Sequence, residues 1–463
     1  MTRTFRQEKF LEFRRQYPWF SFERQEYSLS EEGLSIRYSF SLSGRHHFHP
    51  TLFIPRRPFF STEPVPVPLL ENLIFHIGLV EMISYWKAAC PPRIIIHPFR
   101  LEPDRIEWWK HLCYQGLGEF LYLNGIETTE ADLTEVVSES ARTTGSASLA
   151  TRDEVLIPVG GGKDSAVTLE MLGRLPGSLP VIMNPRGASL RSLEACGLPG
   201  DRFLEVQRTI DPELLRLNEA GFLNGHTPFS ALLAMVTVLG AVLTGKKYIA
   251  LSNESSANEP TIGGTGINHQ YSKSFAFETG FREYARRWIT SDVEYFSFLR
   301  PLNELQIASL FAEYKSYHPV FRSCNAGSKT DSWCGACPKC LFTWIILAPF
   351  MTEHELVDIF GRNLLDDPSL EGTFCQLTGL AAEKPFECVG TMDEVNLAMC
   401  ETISHYGTNP LPYLAEFYRN SEKYRQYGTT GFRSSLAEWS VQHHLPPRFM
   451  ARLREMAGRR RVG

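Results

Sequence analysis

The chain has 463 residues, 43% hydrophobic and 21% charged, with 47 Lys and Arg against 52 Asp and Glu for a formal net charge of −5. That composition rules out a disordered tail or a fibre and fits a globular protein of two or three domains, each able to bury its own core. The slightly acidic balance gives no basic footprint for nucleic acid; the one run of like charge is the short tail Arg459-Arg460-Arg461.

The N-terminal stretch mixes charges of both signs with aromatics and has no apolar h-region of the kind a secretory signal needs. No later stretch reaches eighteen unbroken apolar residues, the longest runs being core-sized, such as 341–350. These features predict a cytoplasmic protein without membrane insertion. Ten cysteines are too few for a disulfide scaffold, and four of them crowd between Cys324 and Cys340, which in a reducing compartment points to metal or redox chemistry.

In chain order, Leu34 to Leu42 alternates apolar and polar residues and leads through Ser43-Gly44 to a second extended run at Leu52–Ile54, a hairpin pattern. His46, His47 and His49 lie on its return limb and are read as exposed strand histidines. Helical spacing follows from Leu70 to Trp86, stopped by Pro91-Pro92; a strand is expected at Arg93–His97 and a second helix at Arg105–Leu123. The Ser-, Thr- and Glu-rich stretch 127–149 reads as a boundary. Beyond it, strands at 155–159, 181–183 and 248–251 alternate with helices after Ser165 and between Pro228 and Leu243, the pattern of a parallel α/β sheet. After about Phe350 the pattern is helical, with amphipathic stretches at 411–425 and 435–456. The expected division is an α+β domain at 1–150, an α/β domain with the cysteine cluster at 151–345, and a helical region at 346–463.

Three segments carry chemistry. Gly160-Gly161-Gly162-Lys163-Asp164-Ser165 follows an apolar strand and opens a helix, so backbone N–H groups and the positive helix end form a cradle for phosphate. It is not a Walker loop, since Ile157 stands where the first glycine should be and Asp164 follows the lysine; nor is it the dinucleotide fingerprint, since Ser165 fills the third glycine position. Cys324, Cys334, Cys337 and Cys340 have the number and spacing of a structural zinc site, with reduced, unmetallated thiols or a catalytic cysteine as the alternatives. Asn253 and Glu254 end a strand, and in an open parallel sheet they should reach the same crevice as the glycine loop. His226 opens a long helix and His269 ends a glycine-rich segment running from Gly263; histidine is the side chain able to titrate near neutral pH.

The loop Gly160–Ser165 resembles that of the PP-loop, or N-type ATP pyrophosphatase, superfamily, with Gly160 where serine is usual. With the segments 74–87, 252–259 and 384–391 and the cysteine cluster, the chain resembles the UDP-N-acetyl-α-D-muramoyl-L-alanyl-L-glutamate epimerase family over most of its length. The resemblance implies a PP-loop ATP pyrophosphatase-like α/β fold. It also implies ATP- and Mg2+-dependent adenylation of the terminal glutamate of a UDP-N-acetylmuramoyl dipeptide, inversion at its α-carbon, and release of AMP and pyrophosphate in peptidoglycan precursor synthesis. On this reading Gly160, Gly161, Gly162, Lys163, Ser165 and Asn253 bind nucleotide, and Asp164 helps hold Mg2+. His226, His269, Glu254 and Cys388 are the candidate acid/base groups, and Arg186, Lys273 and Arg322 candidate anion contacts. The rivals are a 7-cyano-7-deazaguanine synthase-like ligase, which shares loop and cysteines but lacks the N-terminal 150 residues; a tRNA-thiolating enzyme, disfavoured by charge; and a nucleotide-binding module without catalysis.

Overall fold

The computed structural model describes residues 3–261, 267–428 and 431–458. The glycine-rich stretch 262–266 and the basic tail 459–463 lie outside the described residues. Eleven strands are present: β1 (Phe20–Leu29), β2 (Gly33–Leu42), β3 (His46–Phe48), β4 (Thr51–Pro55), β5 (Arg93–Ile96), β6 (Glu135–Ser138), β7 (Arg152–Pro158), β8 (Leu179–Met183), β9 (Leu204–Thr209), β10 (Lys246–Leu251) and β11 (Glu294–Ser297). With the helices between and after them they make a mixed α/β fold, and among the described residues no strand follows β11. The chain divides into two compact units, the first from Met1–Leu156, Leu204–Ile249 and Gly266–Tyr295, the second from Ile157–Phe203, Ala250–Thr265 and Phe296–Gly463.

In unit 1 the strands run in the order β9-β4-β2-β1-β5-β6, with β3 added on β2. The expected hairpin is present, Leu34 opposite Ile54 and Ile36 opposite Leu52. β1, absent from the sequence expectation, pairs along the whole of β2 from Phe20↔Leu42 to Leu29↔Leu34, with a break in register between Phe22 and Arg24. Against this sheet lies the helix Val67–Trp86, whose residues are buried nearly all round. Gly78 lets it approach closely, since a Cβ there would come within 2.5 Å of the Phe22 ring. By length and composition this helix could cross a membrane, but 78% of its apolar window is buried within the protein. Its polar residues find partners there: Asn72 donates to the Trp288 carbonyl at 2.7 Å, although its buried Oδ1 has no hydrogen-bond partner, and Glu81 accepts from Arg208 at 2.8 and 2.9 Å. It is therefore a core helix.

The strand histidines differ from their expected exposure. Only His47 is exposed; His46 bonds Glu213 through Nδ1 at 2.7 Å and His49 lies 3.2 Å from the Ser39 hydroxyl, partners 167 and 10 residues away that sequence proximity does not reveal. The expected single helix over 105–123 is two, Pro103–Gly116 and Gly118–Leu123, broken at Leu117.

Unit 2 begins where β7 runs into the glycine loop. The Val159 N–H donates to the Val181 carbonyl at 2.9 Å, and the Phe298 N–H to the Leu251 carbonyl at 2.7 Å, which fixes the chain beyond β7, β8, β10 and β11. The helices Lys163–Leu172 and Glu304–Phe311 pack on each other, as do Pro338–Leu347 and Met392–Tyr406. Of the two expected C-terminal amphipathic helices, the first is split into Tyr413–Arg419 and Glu422–Tyr427, and the second is confined to Pro447–Gly458.

Candidate active site

In unit 2, β7 ends at Pro158, and Gly161 turns the chain with φ +87°, a conformation that strains any side chain. A Cβ on Gly161 would also meet the Ser189 amide at 2.8 Å, whereas one on Gly160 would meet nothing within 4 Å. Gly162 is the N-cap of Lys163–Leu172 and provides no side-chain cap, which suits the start of this helix to an anion. Ser165 serves the loop itself: its hydroxyl accepts from Gly161 N at 3.1 Å and donates to the Gly162 carbonyl at 2.9 Å. Arg322 lies against the same turn, its N–H on the Gly161 carbonyl at 2.8 Å, and its buried Nε has no hydrogen-bond partner.

Lys163 does not extend into open space as a free phosphate ligand would. It is buried, with its ammonium on the carboxylates of Asp164 and Glu304. Burial works against its charge, but the two carboxylates outweigh burial and hold its pKa above the ordinary lysine value. Burial pushes the Glu304 carboxyl up; Lys163 pulls the other way, while Asp164, Glu254 and Glu394 add to the push. Asp164, Glu254 and Glu304 each present an oxygen, all within 4.8 Å of one another. Three hard oxygen donors carrying more negative charge than one ammonium cancels suit a divalent cation such as Mg2+.

Glu394 assembles this centre without facing it. Its Oε1 accepts from the Ser256 hydroxyl at 2.6 Å and the Glu304 N–H at 2.7 Å; its Oε2 accepts from the Thr391 N–H at 2.6 Å and hydroxyl at 2.9 Å. Cys388 lies on the segment 384–391. That segment is held by Lys384 on Glu259, by Lys339 on the Cys388 carbonyl, and by Gly390, where a Cβ would come within 2.9 Å of Glu304 Cγ. Asn253 is tied by its amide to the Ser297 hydroxyl at 3.0 Å. Arg186 is exposed at the N-cap of Gly187–Ala195.

The four cysteines converge in the same unit. Sγ atoms are 3.7 Å apart for Cys324–Cys337 and Cys334–Cys340 and 3.5 Å for Cys337–Cys340. A tetrahedral shell with Zn–S bonds of about 2.3 Å has edges of about 3.8 Å, so these thiols fit zinc. Gly335, at φ +67°, makes the knuckle turn.

His226 and His269 belong to unit 1, where Glu119 joins them. The His269 Nδ1 bonds Glu119 at 2.5 Å, the His226 Nδ1 lies 3.6 Å from the same oxygen, and the rings are 4.5 Å apart. Burial, with positive charge on His269, lowers the His226 pKa to about 4. Proton transfer needs contacts of about 3 Å on each side, so no planar group fits between these rings. Lys273, part-buried, lies within electrostatic reach of His226.

Sequence reasoning missed Glu119, Lys87, Glu304 and Glu394. Thr391-x-x-Glu394 is a readable capping box, and it does cap Met392–Tyr406. The others carry no local signal, because their partners are distant in sequence.

A family model described as the MurL N-terminal domain matches residues 12–298, and one described as the MurL C-terminal domain matches residues 320–428. The chain belongs to the MurL family. It is 35% identical over 416 residues to a protein of Xanthomonas oryzae pv. oryzae named UDP-N-acetyl-alpha-D-muramoyl-L-alanyl-L-glutamate epimerase, covering 87% of this chain and 90% of that one. Proteins of the same name from Salinispora tropica and a Micromonospora species are each 36% identical, covering 78% and 75% of this chain and 82% and 78% of theirs. Curated members are thus named as epimerases, which are isomerases, and MurL membership places this chain among the isomerases. No solved structure matches it.

Proposed function

We propose that the chain inverts the terminal L-glutamate of UDP-N-acetylmuramoyl-L-alanyl-L-glutamate in peptidoglycan precursor synthesis in the cytoplasm, using ATP to adenylate a glutamate carboxylate on a PP-loop-like site. The observation that carries the reading is the meeting, in one unit, of the glycine cradle with the carboxylate oxygens of Asp164, Glu254 and Glu304. Family membership names the substrate class.

On this reading the first-turn N–H groups after Gly162 and the Arg322 guanidinium hold phosphate oxygens. Asp164, Glu254 and Glu304 hold Mg2+, which when bound supplies charge neutralisation for phosphoryl oxygens. A substrate carboxylate oxygen attacks the α-phosphorus of ATP, and the bond to the pyrophosphate oxygen breaks. The benefit is electrostatic. Removing an α-proton beside an ionised carboxylate sets two negative charges within about 4 Å, a repulsion of about 4 kcal/mol at an effective dielectric of ~20, and acyl-phosphate formation removes it. A base takes the α-proton, an acid returns one to the opposite face, and water attacks the acyl carbon to release AMP. Cys388 is the proposed proton-exchanging group in the unit of the nucleotide site, where Glu254 is taken by the cation. The four cysteines hold a structural zinc.

The test is incubation with UDP-N-acetylmuramoyl-L-alanyl-L-glutamate, ATP and Mg2+ in deuterated water, with Asp164→Ala as control. The reading requires AMP, pyrophosphate and α-deuterated D-glutamate product, all lost in the control. AMP without α-exchange refutes the epimerase step, and ATP-driven consumption of ammonia would install the ligase alternative.

A further inference from the structure

Lys87 ends the core helix of unit 1 and is 4% exposed. Its ammonium has one hydrogen bond, to the neutral Asn224 Oδ1 at 3.1 Å, and lies 5.8 Å from the Phe120 ring; among the described residues no carboxylate pairs with it. A buried cation without a counter-charge is costly to the fold and is normally paired. Around His226, Glu119 is opposed by the positive charges of His269, Lys273 and Lys87, and Glu119 is bound by His269 rather than by Lys87. Gly225 at φ +154° makes the approach possible, since a Cβ there would meet the Phe120 ring at 3.2 Å; it brings Asn224 and His226 onto the helix that carries Glu119. The His226 side chain is 27% exposed, which opens the cluster to solvent.

Glu119, His226 and His269 alone would resemble a cation site. The buried Lys87 ammonium, held only by the neutral Asn224 Oδ1, argues for the opposite sign of ligand. We propose that Lys87, with Asn224 and His226 beside it, forms an oxyanion-binding site in unit 1 that takes a carboxylate or phosphoryl group. Burial holds the Lys87 pKa down to about 8, the mark of an ammonium lacking its anion. The inference stands apart from the epimerase reading because its test reads binding, not turnover.

The experiment titrates the full-length protein with N-acetyl-L-glutamate as the carboxylate probe and UDP as the phosphoryl probe, by calorimetry, and records melting temperatures. Lys87→Met should weaken at least one probe by about 30-fold or more, the effect of deleting one side of a buried charge pair, while melting no lower than the wild type. Asn224→Asp supplies an internal carboxylate; it should melt higher and also lose the probe, and it decides the matter if Lys87→Met does not fold. Loss confined to N-acetyl-L-glutamate identifies a carboxylate site, and loss confined to UDP a phosphoryl site. The proposal is overturned if the wild type binds neither probe, if the folded variants bind both probes as the wild type does, or if binding falls only together with melting temperature.

Discussion

Removing the metal from the four-cysteine site should weaken ATP binding although no cysteine is placed to touch nucleotide. Cys324 is the near end of the cluster, and the two residues before it abut the glycine loop: the Arg322 N–H bonds the Gly161 carbonyl at 2.8 Å, and a Cβ on Gly162 would lie 3.3 Å from Ser323 Cβ. A released Cys324 no longer anchors this contact. The backbone bond contributes about 1 kcal/mol and a guanidinium–phosphate bond from Arg322 about 2 kcal/mol, so losing both raises the ATP Kd by about two orders of magnitude. The perturbation is a chelator, with Cys337→Ser as a genetic equivalent, since Cys337 Sγ contacts both Cys324 and Cys340. The assay is calorimetric titration with ATP and Mg2+ before and after metal loss, with X-ray absorption reporting four sulfurs at about 2.3 Å in the metallated form. Two results would refute the reasoning: no metal bound after reconstitution with zinc, or an ATP Kd that moves less than about threefold once the metal is gone.

The raised carboxyl of Glu304 makes the Mg2+-free protein lose stability as pH rises: the folded state keeps a proton that the unfolded chain has released above the ordinary carboxylate range, so stability is greatest below that range and declines up to the raised pKa. Denaturant unfolding from pH 5 to 8 should show this slope, and Glu304→Gln should flatten it; an unchanged slope would exclude Glu304 as its source. Gly161→Ala should destabilise by about 1–3 kcal/mol through its φ alone, before the clash with Ser189, while Gly160→Ser should stay within about 0.5 kcal/mol of wild type. Equal effects in denaturation would show that the loop geometry is wrong. His226 should stay neutral down to about pH 4 in a histidine NMR titration, and a midpoint near the ordinary value would mean that its ring is not buried against a charged His269.

The legible parts of the chain were those whose signal is local. The glycine loop is written in consecutive residues, Leu34–Leu42 shows its pairing by alternation, and Phe229–Thr244 is apolar enough to be read directly. β1 was not legible because only Phe20, Ser21 and Phe22 of its ten residues are buried, which leaves no alternation to detect; its pairing with β2 and β5 defines it. Lys163 stands in that glycine loop, but its electrostatic partner Glu304 sits 141 residues away. Likewise His269 is 150 residues from Glu119, and Lys87 is 137 from Asn224. Sequence names chemical groups; only the fold says which of them meet, and here it sets two candidate histidines side by side on Glu119.

Glu394 has a consequence for how the protein is made. Its carboxylate joins Ser256, Glu304 and Thr391, the first of them 138 residues upstream. During synthesis the loop after β10 and the start of the Glu304–Phe311 helix leave the ribosome long before the carboxylate that unites them. Closing so long a span is entropically costly and comes late. A nascent chain stopped short of residue 394 would therefore carry every residue of the glycine loop and still lack the means to gather its acidic partners, so the assembled centre would arrive only with about the last sixth of the sequence.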